Sequence, residues 1–250
     1  MSTTRTTRTA ATLVDATTAA SAYQRAGEGR YDFGDPVNGF PQAMDAFAAL
    51  SLHVPAAMVD ELDQLGDLAD RLRVLSTDPA PTFTLADLNA DDYAERFRDA
   101  TIRGLVREHG TQYARQAWDV LGKQRRQIIA RNLDTLYDIT AAHYEDHAAE
   151  FWHHDDDTLT GAQRDERGSL NRNLHRAAAW LWRMTSPGAE PDLDLLAWFE
   201  FAPEAWKAYV ADCLPAYQPK GNLYDFATKH GGRPRLVRSL RDATRPARNY

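Results

Sequence analysis

Between Thr111 and about His154 the chain contains no proline and a single glycine, Gly122. Proline removes an interior hydrogen bond and glycine weakens a helix by about 1 kcal/mol, so a stretch with so few breakers can stay helical throughout. Its apolar residues Tyr113, Ala117, Trp118, Leu121, Ile128, Leu133, Leu136, Ile139 and Tyr144 return mostly at the three- and four-residue steps of a helix with one packed face. About 40 residues at 1.5 Å each would span roughly 60 Å. That exceeds the width of one small domain. It predicts either a kink near Gly122 or an arm projecting from the body.

Helical signals occupy most of the remaining chain. Residues 10–26 are Ala-rich and read as a helix that stops at Gly27 and Gly29, where glycine is costly. Residues 27–41 hold four glycines and two prolines around Tyr31, Phe33 and Phe40, the composition of a loop with aromatic anchors. Pro41 starts a short helix to about Leu50. Pro55 then sits at a first-turn position, where its missing N–H costs nothing. From there Met58, Leu62, Leu65, Leu68, Ala69, Leu72 and Leu75 mark an amphipathic helix, with Asp60, Glu61 and Asp63 near its positive end. Pro79 and Pro81 break it. Asn89 reads as the N-cap of a helix that runs to His109 and ends at Gly110, and Thr111 reads as the cap of the long one. Thr160 caps a helix over 162–184. Residues 192–217 read as helix broken near Pro203 and Pro215, and Asn222 caps a last short helix ending at Gly231. The only stretch resembling a strand is 82–88.

These signals predict an all-α fold, a multi-helix bundle with one long central helix and flexible N- and C-terminal tails. The expected organisation is a flexible segment with an Ala-rich helix (1–30), a helical region that includes the long helix (31–150), an aromatic-rich helical region (151–228) and a basic tail (229–250). Five of the six tryptophans fall between Trp152 and Trp206.

A chain of 250 residues can bury about 70% of its extended surface, enough for a core without staples. No run of about 18 apolar residues exists, so no membrane helix is expected. Nor does an apolar stretch near Met1 suggest a secretory signal. Cys213 is the only cysteine. That excludes an internal disulfide framework and a multi-cysteine zinc site, and a reducing, cytoplasmic compartment is expected. The formal net charge is −7, but it is segregated. Residues 1–30 carry +2 and residues 229–250 carry +6, which leaves −15 for 31–228. An acidic body should repel nucleic acid at long range, while the basic end can attract an acidic partner.

The richest polar cluster is His143, His147, Glu150 and His154, at steps of four, three and four. On an unbroken helix they share one face, and imidazole with carboxylate is a donor set for a divalent cation. The cluster matches no zinc-protease pattern, since Tyr144 follows the first histidine and Asp146 precedes the second. A solvated helix face is the simpler reading. The run Asp155–Asp157 fails as a calcium loop: with Gly161 at the sixth position, Arg167 falls where a bidentate Glu is required. Trp198, Phe199, Phe201, Trp206 and Tyr209 have the spacing of a stacking platform, but aromatics so spaced more often form core. No nucleophile elbow and neither glycine-rich phosphate loop occurs, so no cofactor is expected.

Three functional expectations follow. The first is a non-enzymatic interaction or assembly protein that self-associates or docks in a larger assembly, through its long helix and a tail carrying Arg233, Arg235, Arg238, Arg241 and Arg245. A viral or mobile-element particle is one setting of that kind. The second is a nucleic-acid-associated regulator. It would use a helix-turn-helix-like junction at Gly110, the basic residues Lys123, Arg125, Arg126 and Arg131, and the tail. The third is a metal-dependent helical enzyme built on His143, His147 and Glu150, with further ligands such as His109 or His175.

Overall fold

A computed structural model describes residues 12–27, 36–77, 92–153, 158–186, 197–202, 204–208 and 223–236. Most of them are helical, as the spacing predicts. The elements are β1 (Leu13–Asp15), α1 (Ala16–Arg25), a 3-10 turn (Pro36–Gly39), α2 (Phe40–Ala49), β2 (His53–Pro55), α3 (Ala56–Thr77), α4 (Tyr93–Trp152), α5 (Gly161–Thr185), β3 (Ala197–Glu200), α6 (Leu223–Lys229) and β4 (Arg233–Leu236). A further helical turn covers 204–208.

The helix boundaries have identifiable causes. Asp15 caps α1 by accepting the Thr17 amide at 2.7 Å. This carboxyl sits below the usual carboxylate range because the Thr17 hydroxyl and amide both donate to it. Thr160 opens α5 with a reciprocal capping box: its hydroxyl accepts from the Gln163 amide while the Gln163 side chain accepts from the Thr160 amide. Helix α2 ends in a Schellman-like turn, with Leu52 N–H bonded to Phe47 O and Ser51 N–H to Ala48 O.

The long helix differs from the expectation in two ways. It contains 60 residues and runs through Gly110, Thr111 and Gly122 without interruption. The junction required by the helix-turn-helix reading is therefore absent. A glycine costs only about 1 kcal/mol when the hydrogen-bond ladder on both sides stays intact. The single non-helical residue inside α4 is His147 (φ −111°, ψ 15°), so the kink lies 25 residues beyond Gly122.

Among the described residues, four short strands form two antiparallel pairs, where the sequence suggests a strand only over 82–88. Val14 pairs with Val54 in one, and Trp198 with Arg235 in the other. Residues 13–15 had been read as part of the first helix, and 197–200 as part of a broken helix. Three- and four-residue strands are too short to show an alternating pattern. They form because tertiary packing holds their partners in place. The expected strand over 82–88 and the caps Asn89 and Asn222 lie outside the described residues.

One continuous apolar core joins these elements. Helix α1 packs on α2 and on α3, α2 packs on α5, and α4 packs on both α3 and α5. Phe40, Phe47, Met44, Met58, Leu62, Ile129, Leu136, Tyr144, Leu174 and Trp182 are the large side chains fully enclosed. Helix α3 uses Met58, Leu62, Leu65 and Ala69 as read from the sequence, but Leu68 lies off that stripe and is 49% exposed. Among the described residues, no helix is long and apolar enough to cross a membrane.

Candidate interaction surface

Arg131 of α4 meets Glu61 at 2.5 Å, and the Arg73 guanidinium lies over the Trp118 ring at 5.4 Å. These contacts set α3 and α4 antiparallel and place the end of α3 beside Trp118. Among the described side chains of α4, Leu121 is the first that is buried. On its N-terminal side, Ala94 to Arg98, Thr101, Gln112, Arg115, Gln116, Asp119 and Val120 are exposed. Phe97 and Val120 are each 56% exposed. The described side chains at the start of α4 are thus mostly exposed.

Of the basic residues assigned to nucleic acid, Lys123 and Arg126 are exposed. Arg131 is occupied by Glu61. Arg125 is partly buried, with its guanidinium over the Tyr23 ring at 4.2 Å.

At the other end of α4 the chain gathers an aromatic cluster. Tyr144 and Phe151 are buried edge-to-face at 5.4 Å. The Trp152 indole donates to the Tyr144 hydroxyl at 2.9 Å. Burial raises the Tyr144 phenol well above its ordinary pKa, against the smaller opposing effect of the Trp152 N–H. Phe199 of β3 packs on Trp152 at 5.4 Å and Tyr224 of α6 on His153 at 5.8 Å. His153 also meets Asp225 at 3.3 Å.

The start of the basic tail belongs to this cluster. Arg233 and Arg235 lie on β4, paired with β3. Arg235 bridges Glu200 at 2.8 Å and Glu145 of α4 at 2.5 Å. The hydrogen bonds it donates to those two carboxylates raise its pKa. Tyr137 donates its hydroxyl to the Leu236 carbonyl, and the Leu236 side chain is buried. The segment beginning at Arg233 is extended, as Pro234 implies, but through Leu236 it is clasped to the body. Arg238, Arg241 and Arg245 lie outside the described residues.

The histidine cluster is only partly assembled. The His143 and His147 rings lie 4.5 Å apart, and His147 Nδ1 is 2.7 Å from Glu150 Oε2. The kink at His147 interrupts the regular face on which the sequence placed all four residues. Burial, followed by the neighbouring His147, pushes the His143 pKa down. His175 instead packs on Phe151 at 5.1 Å, and His154 lies outside the described residues. Among the described residues, no group of three or more His, Cys, Asp or Glu side chains is placed to hold a metal ion.

A second charged cluster was missed in the sequence. Asp63, Asp67 and Asp70 follow steps of four and three on α3, and all three bond to Arg25 at the end of α1. Burial opposes the Arg25 cation, but the charges of Asp67, Asp70 and Asp63 together outweigh it and raise its pKa. The spacing of the three aspartates was legible. Their partner, 38 residues upstream of the first, was not.

No protein-family model matches the chain, and neither a curated protein nor a solved structure matches it.

Proposed function

We propose that this is a non-enzymatic helical assembly protein, which associates with copies of itself or docks in a larger assembly through the N-terminal part of α4, aided by its basic C-terminal end. The observation that supports this reading lies on that part of α4, where Phe97 and Val120 stand more than half exposed. Exposed large apolar groups on a helix are a common means of helix–helix recognition. A reducing, cytoplasmic setting suits the single cysteine.

Sedimentation equilibrium at micromolar concentration tests the proposal, with the native chain compared to Phe97→Glu, Val120→Glu and a chain ending at Leu236. The chain is cut after Leu236 because 233–236 form part of the fold. The expected result is a native mass above 28.1 kDa that falls toward one chain in the α4 variants. A monomer at high concentration, with no partner binding altered by removing 237–250, overturns it. Salt-sensitive binding to mixed-sequence duplex would favour the nucleic-acid reading instead.

A further inference from the structure

Arg125 sits where α1 ends, and among the described residues no group accepts a hydrogen bond from it. Its Nε is shielded from solvent and has no hydrogen-bond partner. Its one described interaction is the face of Tyr23, 4.2 Å from the guanidinium carbon. The place is built to receive it. Tyr23 is fixed by its hydroxyl, which donates to Val37 O at 2.9 Å, and by the Phe40 ring at 5.0 Å. Gly27 leaves the space beside it, since a methyl there would collide with the Arg125 guanidinium.

Among the described residues, the acceptors of α1 and α3 near Gly27 serve other donors. Arg73 donates to the carbonyls of Arg25 and Gly27. The carbonyls of Ala22 and Gln24 serve Ala26 and Gly27. Asp63, Asp67 and Asp70 are held by Arg25 and Arg73. Two arginines therefore meet Gly27, Arg125 beside its Cα and Arg73 on its carbonyl, and of these Arg73 is paired with Asp70. A partly buried guanidinium with donors left over is costly unless an acceptor arrives from outside, and its planar fork fits an oxyanion.

We propose that Arg125 anchors an oxyanion-binding site at the junction of α1 and α4, for a carboxylate or a phosphate group. The ring of Tyr23 holds the cation in position and Gly27 gives it room. This site is independent of the assembly reading, because a small anion can fill it in a monomer.

The test is titration of the full chain with sodium phosphate and, separately, sodium succinate, each against sodium chloride at equal ionic strength. The readouts are the thermal midpoint and the NMR signal of the Arg125 Nε–H. The expected result is a saturable movement of that signal and a raised midpoint with one or both anions. The tighter of the two identifies the source of the oxyanion. Arg125→Gln should weaken binding at least tenfold, Arg125→Lys should retain part of it, and Lys123→Ala should leave it unchanged. An Nε–H signal that responds no more than it does to chloride overturns the proposal, as does binding that survives in Arg125→Gln. If Arg125→Gln fails to fold, the Nε–H titration of the native chain decides alone.

Discussion

Ser51 adopts φ 56°, the left-handed region, at the turn that ends α2. Glycine is the usual occupant there, because a Cβ costs about 1–2 kcal/mol in that conformation. Replacing Ser51 with Gly relieves this strain but loosens the unfolded chain by about 0.4–1 kcal/mol. A net gain of about 0.5–1 kcal/mol is expected, read from the urea midpoint at constant slope. His143 gives a pH dependence. Its pKa is lowered in the folded state, so between that value and the ordinary imidazole value of about 6.5 the unfolded chain binds more protons. Stability should therefore fall as the pH drops below about 6.5 and level off once the folded value is passed. The thermal midpoint against pH should fall less steeply for His143→Gln in that window. Unchanged slopes would show that the ring is not excluded from water as described. At this scale the sequence was informative about residue types and silent about burial. It placed His143 on a solvated face, whereas the ring is partly enclosed, because enclosure depends on which helix arrives opposite.

Helices with local signals were the legible elements. The Thr160 cap, the start at Pro41 and the end at Gly27 each depend on contacts within four residues, and each was read closely. Thr160→Ala should cost about 1 kcal/mol, measured by denaturant unfolding. Strands β1 to β4 were not legible, because each pairs with a segment 32 or more residues away and carries too few residues to show a period. Strand β4 shows which forces hold such an element. Arg235 is 45% exposed and its two carboxylates are 39% and 61% exposed, so solvent screens both pairs. Leu236 is 6% exposed. Arg235→Ala is expected to cost under about 1 kcal/mol, and Leu236→Ala about 2–5 kcal/mol, by the same measurement. The reverse order would mean that charge, and not burial, secures the strand. The three aspartates of α3 were read only in part, since Asp63 was assigned to the helix dipole when its main partner is Arg25.

The molecule as a whole was legible in class and not in assembly of its parts. Continuous helical spacing is a property of the chain, so the long rod and the all-α body could be read directly. The packing of α4 against α3 and α5, the kink at His147 and the clasping of Arg235 arise from contacts between distant segments, which spacing does not encode. The helix end expected at Gly110 is absent, and the kink lies at His147 and not near Gly122, for a related reason: the ladder of a helix this long outweighs one weak residue. No non-helical residue interrupts α4 from Tyr93 to Asp146, a distance of roughly 80 Å at 1.5 Å per residue. The helix therefore works as a ruler. Removing seven residues from its exposed part would bring anything grasped at its tip about 10 Å nearer while almost preserving its angular setting. Removing four would shorten it by only about 6 Å but swing the tip about 40° around the axis. Spacing and orientation of whatever the tip holds are thereby fixed by a residue count.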